Sequence, residues 1–108
     1  MNSKVLYKSI VNVCKTIYDP EIPHNIWDLG LVYSVEVSTR NNIKIIMTLT
    51  TPSCPVGPEF LNTVKVRVEE LKDVNKCNVE LVWDPPWSAD MMSEEAQTML
   101  GMELNRPM

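Results

Sequence analysis

The spacing of apolar side chains switches between a helical and an alternating pattern along this chain, and each switch is marked by proline, glycine or a polar cluster. From Lys4 to Tyr18, apolar residues recur at Leu6, Ile10, Val13, Cys14 and Ile17, one face of a 3.6-residue helix. That helix must stop near Asp19, because Pro20 disfavours helical geometry in the residue before it and Pro23 repeats the break. Leu31, Tyr33, Val35 and Val37 then alternate with Val32, Ser34 and Glu36, and after a turn over Ser38 to Asn42 the alternation returns at Ile43, Ile45, Met47 and Leu49. This pattern predicts a hairpin. Phe60, Val64 and Val68, filled out by Leu61 and Leu71, predict a second helix ending near Lys72. Cys77, Val79, Leu81 and Trp83 share one face of a third strand, which Asp84, Pro85 and Pro86 end. Ser93 with Glu94 and Glu95 starts a short helix that Gly101 is expected to close.

The order helix, strand, strand, helix, strand, short helix predicts an α+β two-layer sandwich. Its small mixed three-stranded sheet carries the helices on one face, and the second helix crosses over to set strand three parallel to strand two. A chain of 108 residues is expected to form one domain over 1–108, with a C-terminal extension from about residue 84 and a loose tail from about 102. The far face of the sheet carries Val32, Ile46 and Val82 beside Ser34, Glu36, Lys44 and Thr48. That mixture suits a dimer partner or the C-terminal segment lying against it. Trp83, Trp87 and the Pro85-Pro86 pair form a stiff corner that pins the C-terminal segment, and Met91, Met92, Met99 and Met102 give that segment an adaptable apolar surface.

Several function classes are excluded at this level. Gly30, Gly57 and Gly101 are too far apart to form a phosphate-cradling loop, so no nucleotide site is expected. A net charge of −4 gives no electrostatic reason to bind nucleic acid, and no stretch near 20 consecutive apolar residues offers a membrane span. Three cysteines, an odd number, behind an opening with no apolar leader read as reduced thiols in a cytoplasmic protein. With His24 as the one imidazole and no paired cysteine spacing, the chain has no self-contained zinc site, and any metal must borrow ligands.

Cys14 and Cys77 fall at core positions and read as small buried hydrophobes. Cys54, in TTPSCPVGPEF, follows the second strand and precedes Pro55, a residue suited to the first helical position. A sulfur near a helix N-cap is held toward the thiolate, the form that binds metal, although Pro58 moves a regular helix start further on. The DPEIPHNIWDLG loop offers Asp19, Glu21 and Asp28. Either these carboxylates border Cys54 and steer iron or a cationic group, or Asp19 caps the turn and Glu21 is solvated. His24 is read as an exposed loop histidine, with a nucleophile-base pair to Cys54 as the other reading. Thr48 and Thr50 share a face of strand two and lead toward Cys54, where they line a polar site or serve as strand formers.

Together the runs DPEIPHNIWDLGLVYSVEV, IIMTLTTPSCPVG and VWDPPWSADMMSEEAQTMLG resemble the SufT/PaaD-like family of iron-sulfur cluster assembly factors, whose domain also occurs fused to Mrp-type ATPases. The resemblance spans about Ile17 to Gly101. It implies an α+β domain, often a homodimer, that assembles iron-sulfur clusters or delivers them to recipient apoproteins. The family's acidic motif falls on Asp19, Pro20 and Glu21, its loop on Asp28, Leu29 and Gly30, and its cysteine on Cys54, the implied cluster or metal ligand. Thr48, Thr50, Pro52 and Pro55 complete the implied site. Ser53 stands where the family commonly has glycine, and His24 where it commonly has an apolar residue. One thiolate cannot hold a cluster that takes four ligands, so a cluster would be transient and shared with a dimer mate, a partner or non-protein thiols. The expected role is a carrier or adaptor for the assembly machinery, not a turnover enzyme. The competing reading is a metal-free scaffolding module for assembly proteins or an oxygenase system.

Overall fold

The computed structural model describes the backbone of residues 2–51 and 56–104, and side chains up to residue 100. Its elements run α1 (Ser3–Cys14), β1 (Val32–Val37), β2 (Asn42–Met47), α2 (Gly57–Glu69), β3 (Lys76–Leu81), a 3₁₀ turn (Ala89–Met91) and α3 (Glu94–Leu104). The sheet order is β1-β2-β3, with β1 antiparallel to β2 and β3 parallel to it. The expected α+β topology is thus the observed one.

The central strand β2 buries Ile43, Ile45 and Met47 under the two long helices, joined by Leu6, Ile10 and Cys14 of α1 and Val64 and Val68 of α2. At the hairpin, Asn41 takes a left-handed φ of 58° and the Ser38 hydroxyl accepts from the Asn42 amide, so a short polar turn reverses the chain. The end of α2 is tied to the start of β3 by Glu69, whose carboxylate accepts from the Cys77 amide and pairs with Lys65.

Four sequence expectations are corrected. First, α1 ends at Cys14, not near Asp19. The backbone beyond it turns to pair with the loop instead: Ile26 donates to Ile17, Asp19 donates to the His24 carbonyl, and Tyr18 bridges to Asn25. Second, β1 does not alternate cleanly. A bulge at Tyr33 shifts the register, so Val32 pairs with Met47 and joins the core face, not the far face. Third, Trp83 lies beyond the end of β3 and is 44% exposed, not on the strand's buried face. Fourth, α3 continues through Gly101 to Leu104, since glycine lowers helix stability without forbidding the helix. Its start is as expected, with the Ser93 hydroxyl accepting from the Ala96 amide.

The C-terminal segment is held to the acidic loop. The Trp87 indole donates to the Leu29 carbonyl at 2.7 Å, the Ser93 amide donates to the Asp28 carbonyl, and Met92, Ala96 and Leu100 enter the core. Gly30 makes this contact possible: at φ +77° it sits so close to the Met91 carbonyl that any Cβ would collide with it. Met99 is exposed, and Met102 lies outside the described side chains.

Candidate functional site

Three segments meet at the C-terminal end of β2: the loop after α1, the chain leaving β2, and the corner after β3. The loop is organised by Asp19, whose Oδ2 accepts from the backbone amides of Glu21 and Ile22 at 2.8 and 2.7 Å. Asp19 therefore serves the turn, and it is buried. Two residues on, Glu21 is exposed, and its Oε1 accepts from the Thr50 hydroxyl at 3.0 Å. This bond ties the acidic loop to the strand exit four residues before Cys54 in sequence. Pro52, Ser53, Cys54 and Pro55 themselves lie outside the described residues.

Asp28 does not reach toward the strand exit. Its Oδ2 accepts from the Asn25 side-chain amide at 2.9 Å and stands 3.7 Å from Nε2 of His24. His24 is 5% exposed, which corrects the reading of an exposed loop histidine. Its backbone explains the burial, since the carbonyl and amide are held by Asp19 and Ile22 and draw the ring under the loop. No signal in the bare sequence distinguished this from an exposed position.

Thr48 also departs from expectation. It lies past the end of β2, fully buried, with its hydroxyl unpartnered among the described residues, while Thr50 is half-buried at the lip. Close by, the Tyr33 phenol donates to the Pro85 carbonyl at 2.7 Å. Burial, then the Asp84 charge, raise the Tyr33 pKa. Sequence reasoning missed Tyr33, because only the bulge turns it toward the C-terminal corner. Leu49, Thr50, Trp83, Pro86 and Trp87 line an open cleft of about 230 Å³ beside these groups.

The helix that follows begins at Gly57 with Val56 as its N-cap and Pro58 in its first turn. The cap of the described helix is therefore Val56, two residues after Cys54 in sequence. The other two thiols are core groups. Burial pushes Cys14 up to about 12 and Cys77 up to about 11, with the two thiols also opposing each other's charge at Cys14 and Glu69 opposing it at Cys77. A thiol held protonated in this way is a poor nucleophile at neutral pH, and its burial keeps it from solvent and from ions carried there. Among the described residues, no group of three histidine, cysteine or carboxylate side chains is arranged to hold a metal ion, and no helix is long and apolar enough to cross a membrane.

Residues 8–81 match the family described as iron-sulfur cluster assembly protein, and the chain belongs to that family. It is 43% identical over 103 residues to an Fe-S protein maturation auxiliary factor of Porphyromonas gingivalis, covering 94% of this chain and 98% of that protein. It is 41% identical over 86 residues to the Fe-S protein maturation auxiliary factor SufT of Staphylococcus aureus, covering 80% and 98% respectively. The fold superposes on the crystal structure of a domain of unknown function from Bacillus anthracis with a TM-score of 0.85 at 34% identity, covering 93% of this chain and 95% of that one.

Proposed function

We propose that this protein assists the maturation of iron-sulfur proteins as a carrier or adaptor, and that Cys54 contributes one ligand to a cluster or iron passed through it. The observation that carries this reading is the fate of the thiols. Cys14 and Cys77 are sealed in the core with raised pKa values, which sets both aside and leaves Cys54 as the candidate ligand among the three thiols. The Glu21 to Thr50 bond supports the site, because it brings a carboxylate of the acidic loop to the strand that leads into Cys54. Asp19 shapes the site through the turn and Asp28 through the His24 and Asn25 network. Thr48, Pro52 and Pro55 belong to the same chain segment.

A cluster of four ligands then takes the rest from a second copy of the chain, from the assembly machinery or recipient apoprotein, or from small-molecule thiols. Incomplete ligation makes release easy, which suits delivery and not storage. The reading places the protein in the cytoplasm, where unpaired thiols stay reduced. The names of the two maturation factors above support a role with assembly proteins and recipients.

Anaerobic reconstitution with iron and sulfide tests the ligand role. The wild type is expected to gain visible absorbance and shift to a larger species on size exclusion, and Cys54→Ser to do neither while keeping its far-UV circular dichroism. In cells, Cys54→Ser is expected to abolish recipient enzyme activity. Normal recipient activity in that variant would show that the protein acts without ligating metal, as a scaffold.

A further inference from the structure

The cleft beside Thr50 is apolar in its walls and negative at its rim. Leu49 and Thr50 come from the strand exit, and Trp83, Pro86 and Trp87 from the corner after β3. Trp87 is fixed by its bond to the Leu29 carbonyl, whereas Trp83 keeps 44% of its surface in water. A large aromatic left this exposed beside a rigid proline is a ready stacking surface. One exposed carboxylate stands at the lip, Glu21, bonded to the Thr50 hydroxyl, and a second exposed one, Asp84, follows Trp83 directly in the chain. Neither is in an ion pair among the described residues, where the charge pairs of lysine and arginine involve Lys44, Lys65 and Arg67 on other elements.

The volume narrows the choice of occupant. About 230 Å³ is below the usual range for cofactors and drug-sized ligands, roughly 300–1,000 Å³, and suits one long side chain. An apolar aromatic wall with uncompensated negative charge at its edge complements a side chain with an apolar stem and a cationic head. A planar guanidinium fits best, since it stacks on an indole face and still reaches carboxylates at its edges.

We infer that this cleft docks an arginine carried on an exposed, extended segment of a partner protein, with the guanidinium against Trp83 and between Glu21 and Asp84. That the partner is a recipient or assembly protein rests on the maturation role proposed above; the docking chemistry does not. Bound there, a partner segment lies beside the chain that leads into Cys54, so docking would set the distance over which cargo passes.

The test is an NMR titration of the uniformly ¹⁵N-labelled full chain with acetyl-Leu-Arg-Leu-amide, set against the norleucine-centred tripeptide and free arginine. The arginine peptide is expected to shift the Trp83 indole and Thr50 amide signals saturably, and more weakly as salt is raised. The norleucine peptide should bind at least about fivefold more weakly. Trp83→Ala should weaken the arginine peptide about tenfold, and Asp84→Asn or Glu21→Gln about two- to fivefold each. Equal binding of the norleucine peptide would overturn the inference in favour of a purely apolar pocket. Free arginine binding as tightly as the peptide would overturn it in favour of a small-molecule site. Shifts spread over Glu94 and Glu95 as strongly as over Trp83 would overturn it in favour of diffuse charge attraction. The titration contains no metal and no recipient, so its failure leaves the maturation reading standing, and a failed Cys54→Ser experiment leaves the docking result standing.

Discussion

The layer beneath the sheet and the rim at the end of β2 treat their chemically capable side chains in opposite ways. Under the sheet, two cysteines are packed among Leu6, Ile10, Ile43 and Val68 and have lost their acidity to burial. At the rim, Glu21 and Trp83 are exposed beside a cleft, and Glu21 is held only by a solvent-exposed bond to Thr50. The difference is one of solvent. A low-dielectric surrounding removes a thiol from chemistry, while the strand exit keeps charged and aromatic groups wet and able to exchange partners.

Thiol labelling offers the largest contrast. With iodoacetamide at neutral pH, Cys14 and Cys77 are expected to react roughly a thousandfold or more slower in the folded chain than in urea, because labelling waits for opening. Fast labelling of the native protein should be confined to one thiol and vanish in Cys54→Ser. Both core thiols ordinarily ionise near 9 and in the fold near 12 and 11, so between these values the folded chain holds more protons than the unfolded one. Stability from this source is complete below pH 9 and declines as pH rises toward 11 to 12. The Cys14→Ala/Cys77→Ala double variant should flatten the slope of urea midpoint against pH in that window.

Ile45→Ala, at a fully buried position of the central strand, should cost about 2–5 kcal/mol in urea unfolding. Gly30→Ala is expected to cost about 2–3 kcal/mol, since it forces an alanine to φ +77° against the Met91 backbone. Its damage should concentrate in the C-terminal segment, visible as faster amide exchange there; unchanged exchange would mean that the segment does not depend on this contact. Tyr33→Phe removes the bond to the Pro85 carbonyl and should cost about 1 kcal/mol. Smallest of all, Thr50→Val should change stability by less than about 0.5 kcal/mol, because the bond it removes is exposed. A large loss there would show that the rim is part of the core after all.

The elements themselves were legible because hydrophobic period follows directly from helix and strand geometry. Ile43, Ile45 and Met47 could only face one side of a strand, and Leu6, Ile10 and Cys14 only one side of a helix. Positions outside regular elements were less legible. Pro20 marked where a helix must have ended, yet the chain left the helix earlier, at Cys14, because pairing between Ile17, Asp19 and the loop competed for the same backbone groups. The burial of His24 came from that pairing too. The candidate site was readable as the loop carboxylates, the threonines and Cys54 through motif resemblance, but the partner of each carboxylate was not.

The sequence by itself determined the element order, the mixed sheet, the two core cysteines and the family. Periodicity and motif are local properties, and each residue carries its share of them. Only the tertiary structure decided that Asp19 would hold a turn while Glu21 crossed to Thr50, that Tyr33 would leave the strand face at a bulge, and that Trp83 would border a cleft instead of filling the core. These outcomes depend on contacts between segments far apart in sequence, Glu21 with Thr50 and Tyr33 with Pro85, and such contacts are set by packing rather than by local pattern.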